Sequence, residues 1–234
     1  MSGGARARAA LICRALDAVY GRPDRGNHVD PVDELVYILL STMTTEANYQ
    51  RSYAALRTAL PTWDDVLAAP VEQVATAIAG GGLASTKARH IQALLGRLRR
   101  DWGSFDLDFM RAWAVADLRG YFTTLPGIGH KAATCVVAYS FGRDVCPVDT
   151  HTYRVAVRLG LVPPDAPELG RKAHLAVELA LPPGERLGFH INAVAHGRRR
   201  CTVERPVCAG CPVAGHCVAP EQGRYSRREQ SGAT

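Results

Sequence analysis

The chain has 234 residues, of which 47% are hydrophobic and 7% aromatic, and its formal net charge is +6. That apolar content can form a core in one large or two small domains, and the scarcity of alternating β-branched runs favours an all-α fold. No apolar run approaches the ~18 residues needed to cross a bilayer, and the N-terminal stretch MSGGARARAALICRAL lacks the pattern of a signal peptide. We therefore expect a cytoplasmic globular protein with no membrane partner.

Helical periodicity begins near the N-terminus and is interrupted by segments rich in glycine and proline. Apolar residues at helical spacing predict an amphipathic helix over 5–20, and Gly21–Pro31 is a predicted linker. Six further helical segments with short connections predict a compact helical domain. The first of them opens on Asp33 and Glu34 and is apolar nearly all round, so it should be buried. The six segments lie at 33–43, 46–60, 63–79, about 85–98, 113–122 and 130–141.

A tight turn, Leu125-Pro126-Gly127-Ile128-Gly129, joins the last two of these segments. Because glycine has no side chain, Gly127 and Gly129 allow φ > 0 and let the backbone approach a ligand closely. The N–H groups at the start of the next helix suit a phosphate. Lys131 lies just inside that helix, and Asp149 opens the following one in PVDTH. Taken singly, a solvated lysine and an N-cap aspartate explain these two residues.

Three more helical patterns, at about 150–160, 168–181 and 185–199, precede a cluster of four cysteines. In a cytosolic chain such a cluster indicates a metal site rather than disulfides. The outer gaps exceed those typical of zinc sites, yet the residues alone leave zinc and an iron–sulfur cluster equally open. The four are Cys201, Cys208, Cys211 and Cys217.

The remaining cysteines lie in apolar contexts and are interpreted as small buried hydrophobes. They are Cys13, Cys135 and Cys146. Residues 220–234 have no apolar periodicity and are a predicted disordered tail. Seven arginines and three glutamates fall between Arg198 and Thr234, so most of the positive charge lies there. This charge supports a polyanionic partner, although a merely soluble chain explains it as well.

The order LPGIGHK, FG, PVDTH, RV and four C-terminal cysteines resembles the endonuclease III branch of the helix-hairpin-helix DNA glycosylases, over about residues 5–218. The resemblance implies an all-α, two-lobed fold. Residues 1–24 and 146–219 would form an iron–sulfur cluster domain, and 25–145 a six-helix domain, with DNA in the cleft between them. It also implies that the four cysteines hold a structural 4Fe-4S cluster.

The same resemblance assigns roles to individual residues. Lys131 would be the nucleophile, and Asp149 would stabilise the cationic sugar and assist proton transfer. Leu83 matches the wedge leucine that fills the gap left by a flipped nucleotide, although a core leucine is an equal interpretation. The other implied DNA-binding residues are Leu125, Gly127, Ile128, Gly129, His130, Met43, His151 and Arg198.

We therefore expect a bifunctional DNA glycosylase and AP lyase that excises oxidised pyrimidines in base excision repair. Its partner would be duplex DNA with damaged bases or abasic sites, and the protein a monomer. One alternative is a mismatch-specific glycosylase, against which Lys131 argues. Another is a non-catalytic DNA-binding or redox-sensing iron–sulfur protein, which gains support because Met43 replaces the usual Gln. Glu46 and His130 also depart from the family pattern, which affects the expected lesion choice.

Overall fold

The computed structural model describes residues 3–163 and 171–219, and these fold into α-helices and short 3-10 turns with no strand. The predicted all-α class is confirmed. The helices are α1 (Gly3–Tyr20), α2 (Pro31–Ser41), α3 (Glu46–Ala59), α4 (Trp63–Ala68), α5 (Val71–Ala77), α6 (Ala84–Trp102), α7 (Val115–Phe122), α8 (His130–Tyr139), α9 (Thr150–Arg158), α10 (Arg171–Ala180) and α11 (Arg186–Arg199). In the described ranges, no helix has the length and apolarity to cross a membrane.

The chain divides into two compact units. The middle unit is Asp24–Arg143, and the terminal unit comprises the described residues of Met1–Pro23 and Asp144–Thr234. The sequence placed the boundaries after 24 and 145. Asp144 belongs with the terminal unit because its carboxylate accepts a hydrogen bond from the Gly184 N–H at 2.7 Å and pairs with Arg186 at 3.3 Å.

The middle unit is built around α2, which packs against α3, α6 and α8. Nine of its eleven residues are buried, so the prediction of a buried helix is confirmed. The helix begins at Pro31 rather than at the predicted Asp33. Asp30 is the N-cap, because its side chain accepts from the backbone N–H groups of Val32 and Asp33, and proline is well suited to a first helical position.

The single helix predicted over 63–79 is two helices, α4 and α5. Pro70 separates them because it has no N–H to donate and disfavours helical backbone in the residue before it. Ala69 is accordingly extended, with ψ 151°. Thr62 caps α4 as predicted, in a reciprocal capping box with Asp65.

In the terminal unit, α1 packs against α10 and α11, and α9 packs against α11. Cys13 and Cys146 lie in the core of this unit. Cys135 is buried in α8 of the middle unit, so all three have the buried position that their contexts predicted. The predicted tail at 220–234, and the first three residues of the helix predicted at 168–181, lie outside the described residues.

Candidate functional site

The hairpin at Leu125–Gly129 connects α7 to α8 and presents backbone rather than apolar side chains to solvent. Leu125 and Ile128 are buried, whereas Gly127, Gly129 and His130 are exposed. The turn closes with a hydrogen bond from the Ile128 N–H to the Leu125 carbonyl at 3.1 Å. Leu125 and Ile128 therefore anchor the turn, and any contact they make with a ligand comes from their backbone groups.

The two glycines of the hairpin have different roles. Gly127 has φ +78°, and a Cβ there would lie 2.8 Å from Leu39 Cδ2. Gly129 is the N-cap of α8 with φ −89°, so of the two glycines only Gly127 uses the positive φ that glycine allows. A Cβ on Gly129 would meet nothing within 4 Å. Its lack of a side chain leaves the first turn of α8 without a side-chain cap and leaves space for an approaching phosphate.

Lys131 is the second residue of α8 and is partly buried. Its positive charge acts on Glu34, a fully buried residue of α2. The Glu34 carboxylate accepts hydrogen bonds from Asn27 Nδ2 at 2.5 Å and from the His28 N–H at 2.8 Å. Burial raises the pKa of Glu34 to about 7, while these two hydrogen bonds and the charge of Lys131 act in the opposite direction. Lys131 thus lies in the field of a buried acid that titrates near neutral pH.

Met43 and Leu83 are exposed apolar side chains on neighbouring loops of the middle unit. Met43 is 83% exposed and Leu83 57% exposed, which excludes the interpretation of Leu83 as a core residue. Both adopt the left-handed region, with φ 53° and 52°. A Cβ on Gly82 would lie 4.0 Å from the Met43 carbonyl, so the two loops are adjacent.

Asp149, His151 and Arg198 lie close together in the terminal unit. Asp149 caps α9 by accepting a hydrogen bond from the Thr152 N–H at 2.7 Å. Burial is the main cause that lowers the pKa of His151 below its usual 6.5; Asp149 raises that pKa, whereas Arg154 and Arg198 lower it. The imidazole is therefore neutral at neutral pH. Because Lys131 and Asp149 belong to different units, their pairing stays a prediction.

The four clustered cysteines line one cavity of about 70 Å³ in the terminal unit. Across residues 3–163 and 171–219, no three His, Cys, Asp or Glu side chains form a group suited to one metal ion. Four thiols around a shared cavity are a ligand set that suits either a zinc ion or an iron–sulfur cluster. The rest of the wall includes the apolar residues Val155, Leu159, Val207 and Val213 and the basic residues Arg158, His196 and Arg200.

Sequence reasoning missed several residues that build these sites. Arg158 is buried and donates to the Cys201 Sγ at 3.2 Å, the Thr202 carbonyl at 2.6 Å and the Val203 carbonyl at 2.9 Å, so it fixes the start of the cysteine segment. Arg154 donates to the Cys201 carbonyl at 2.9 Å. A weak signal was available, because a charged residue on the apolar face of a helix requires a partner.

Gly197 was also missed, and it allows α11 to approach α9. A Cβ there would lie 3.0 Å from the His151 Cβ and 3.1 Å from Arg154 Nη2. The Gly197 carbonyl accepts a hydrogen bond from that same guanidinium at 2.9 Å. A larger residue would crowd the side chains of His151 and Arg154 and push α11 away from α9.

Comparison with known proteins shows that residues 36–178 match the HhH-GPD superfamily of base excision DNA repair proteins. An Arabidopsis thaliana protein that carries the name of a DNA glycosylase is 35% identical over 77% of this chain, which spans 58% of that protein. Endonuclease III of Bacillus subtilis is 31% identical over 81% of this chain and 82% of its own length. A trapped covalent intermediate of endonuclease III with DNA, an estranged-adenine complex, has a TM-score of 0.78 at 27% identity, covering 96% of this chain and all of that one.

Alanine substitution should affect the two hairpin glycines differently. Gly127→Ala should lower the free energy of unfolding by about 2 kcal/mol, because a left-handed backbone and a contact with Leu39 both oppose the new methyl group. Gly129→Ala, with φ −89° and open space, should change it by no more than about 0.5 kcal/mol. Urea denaturation of both variants measures this, and equal losses would contradict the geometry.

Glu34 predicts a pH dependence of stability. Its pKa is raised from 4.5 in the unfolded chain to about 7 in the fold, so its favourable contribution is complete below pH 4.5 and is lost as the pH rises through 7. Glu34→Gln mimics the protonated acid and does not titrate. Between pH 5 and pH 8 the free energy of unfolding of the wild type should therefore fall by up to about 3 kcal/mol more than that of Glu34→Gln. Urea denaturation at both pH values tests this, with Glu72→Gln as an exposed control. Parallel pH profiles for wild type and Glu34→Gln would disprove it.

Proposed function

Because the chain belongs to the endonuclease III family of the HhH-GPD superfamily of base excision DNA repair proteins, we propose that it is a DNA glycosylase and AP lyase that excises oxidised pyrimidines from duplex DNA. It acts as a monomer and then nicks the abasic site by β-elimination. The observation that carries this proposal is Lys131, a primary amine in the first turn of the helix that follows the exposed hairpin.

The hairpin binds the DNA backbone. Exposed backbone at Gly127 and Gly129 leads into the N-terminus of α8, where a phosphate meets N–H groups and a favourable helix dipole. His130 is exposed beside it. Contacts of this kind fix the position of the protein on the strand and carry no base specificity.

Lys131 acts as the nucleophile. Its neutral amine attacks C1′ of the damaged nucleotide, and the C1′–N bond breaks as the base leaves with the bonding electrons and takes up a proton. The sugar ring opens to give an imine between Lys131 and C1′, which acidifies the C2′ proton. Loss of that proton and cleavage of the C3′–O bond then release the 3′ phosphate, and hydrolysis of the imine frees the amine.

Asp149 stabilises the positive charge that develops on the sugar and transfers protons during these steps. Its capping bond to Thr152 fixes the carboxylate at the start of α9. The neutral state of His151 avoids adding a positive charge beside the cationic sugar.

Met43 and Leu83 fill the gap when the damaged nucleotide leaves the helix, since chemistry on a base inside a duplex requires flipping. Their exposure on adjacent loops supports this role. Met43 offers apolar contact and weak hydrogen bonding, so it fills space with little preference for the opposite base.

The four cysteines would hold a 4Fe-4S cluster, and the cavity that they line supports this assignment. When bound, the cluster crosslinks residues 201–217 and orders a segment that has little apolar content of its own. Arg158 donates a hydrogen bond to the Cys201 sulfur at 3.2 Å and so fixes the position of this ligand.

The lysine assignment can be tested directly, because the chain contains three lysines, Lys87, Lys131 and Lys172. Lys131→Gln should abolish strand nicking and the borohydride-trapped adduct while duplex binding changes little, since the imine requires a primary amine at that position. Lys172→Gln, at an exposed position on α10, is the matched control and should trap normally. A trapped adduct on Lys172, or full activity of Lys131→Gln, would refute the assignment.

Asp149→Asn separates base release from imine chemistry. Asparagine keeps the N-cap of α9, so the variant should fold normally. Base excision should slow by about 100-fold or more, because the carboxylate no longer stabilises the cationic sugar, while trapping on a preformed abasic site persists. Single-turnover kinetics on the two substrates measures the difference, and equal losses on both would contradict this role.

The metal assignment predicts a yellow-brown protein with about four iron atoms per chain. Cys208→Ser should lower the iron content and the absorbance of the cluster. Cys13→Ser changes a buried cysteine in the same unit that is not part of the cavity wall, so it should keep its iron. A colourless protein with one zinc ion per chain would exclude the cluster.

A further inference from the structure

Lys87 is a buried lysine in the first turn of α6, and its side chain bridges two loops. Only 4% of its surface is exposed. Its ammonium donates hydrogen bonds to the Leu40 and Gly81 carbonyls, each at 2.8 Å. Its backbone N–H donates to the Leu83 carbonyl at 2.9 Å. One residue therefore contacts both the end of α2 and the segment that precedes α6.

The two carbonyls belong to the segments that carry Met43 and Leu83. Leu40 lies in the last turn of α2, where carbonyls lack helical partners and a positive charge interacts favourably with the helix dipole. Gly81 ends a 3-10 turn two residues before Leu83. A Cβ on Gly81 would lie 2.7 Å from Ser52 Oγ, so a larger residue would require either the buried Ser52 side chain or this segment to shift.

The conformations of Met43 and Leu83 require such support. Both have left-handed backbone, which costs a residue with a Cβ about 1–2 kcal/mol, and neither buries its side chain in compensation. Strained conformations of this kind persist only where the surroundings determine them. Burial also lowers the pKa of Lys87 from its usual 10.5, so its placement is itself costly.

We propose that Lys87 is a positioning residue that fixes the loops of Met43 and Leu83 as one rigid wedge for opening duplex DNA. This proposal rests on the proposed function, because that function places the side chains of Met43 and Leu83 in the duplex. Lys87 touches neither the reacting sugar nor the base. It is required where a nucleotide must leave the duplex, and it is dispensable where the strand is already single.

The test compares Lys87→Met with Gln92→Met, a matched control on the same helix. Gln92 also bridges two backbone carbonyls, those of Val66 and Ala69, at 2.9 and 2.7 Å, but these belong to α4 and its C-cap rather than to the wedge loops. Single-turnover excision of thymine glycol from a duplex should slow at least tenfold in Lys87→Met and less than twofold in Gln92→Met. Nicking of a single-stranded oligonucleotide with a preformed abasic site should stay within twofold of wild type in both.

Equal slowing of both substrates in Lys87→Met, or equal effects of the two variants, would overturn the proposal. If Lys87→Met does not fold, Gly81→Ala crowds the same loop against the buried Ser52 without removing a buried charge. It should show the same selective loss on duplex DNA, and full duplex activity would overturn the proposal.

Amide hydrogen exchange without DNA tests, separately from the chemistry, whether Lys87 fixes the two loops. In Lys87→Met, protection should fall together at residues 42–45 and 80–83, while Gln92→Met leaves both segments at the wild-type level. If the wild type nicks neither substrate, the proposed function fails. The hydrogen-exchange comparison then decides by itself whether Lys87 fixes the two loops. Unchanged protection in Lys87→Met would overturn it.

Discussion

The arrangement of the middle unit depends on the burial of α2 among α3, α6 and α8, with nine of its eleven residues buried. A helix packed among several neighbours can contact a different element at each of several positions along its length. Three positions of α2 do so. Glu34 lies in the field of Lys131, Leu39 limits the space at Gly127, and the Leu40 carbonyl binds Lys87. The amine, the hairpin and the wedge loops therefore share one rigid reference, and a shift of α2 would move all three.

In the terminal unit the corresponding constraint is the close approach of α9 and α11 at Gly197. His151 of α9 lies there in the field of both Asp149 and Arg198, and Arg154 bonds across the contact to the Gly197 carbonyl. The same arginine reaches the Cys201 carbonyl. The candidate catalytic carboxylate of Asp149 and the cysteine cavity are thus joined through one short stretch of α9.

Several residues of this chain lower the stability of the fold at positions that the proposed chemistry uses. Glu34 and Lys87 are ionisable groups buried at a cost, and Met43 and Leu83 combine strained backbone with exposed apolar surface. Local rules of folding are commonly broken at functional sites, because the remainder of the fold compensates. All four residues lie in the middle unit, which also contains Lys131.

The sequence by itself determined the helical segments apart from the break at Pro70, many of their ends, the hairpin, the group of four cysteines and the capping position of Asp149. These follow from periodicity, from glycine and proline, and from residues a few positions apart. Only the tertiary structure distinguished Gly127 from Gly129, since the difference depends on Leu39 from another helix. It alone identified Lys87, whose acceptor at Leu40 is 47 residues away, and Glu34, whose burial beside Lys131 follows from the packing of α2 on α8. A local pattern shows that a polar residue lies on an apolar face, but its partner is set by contacts between distant segments, which only the folded chain brings together.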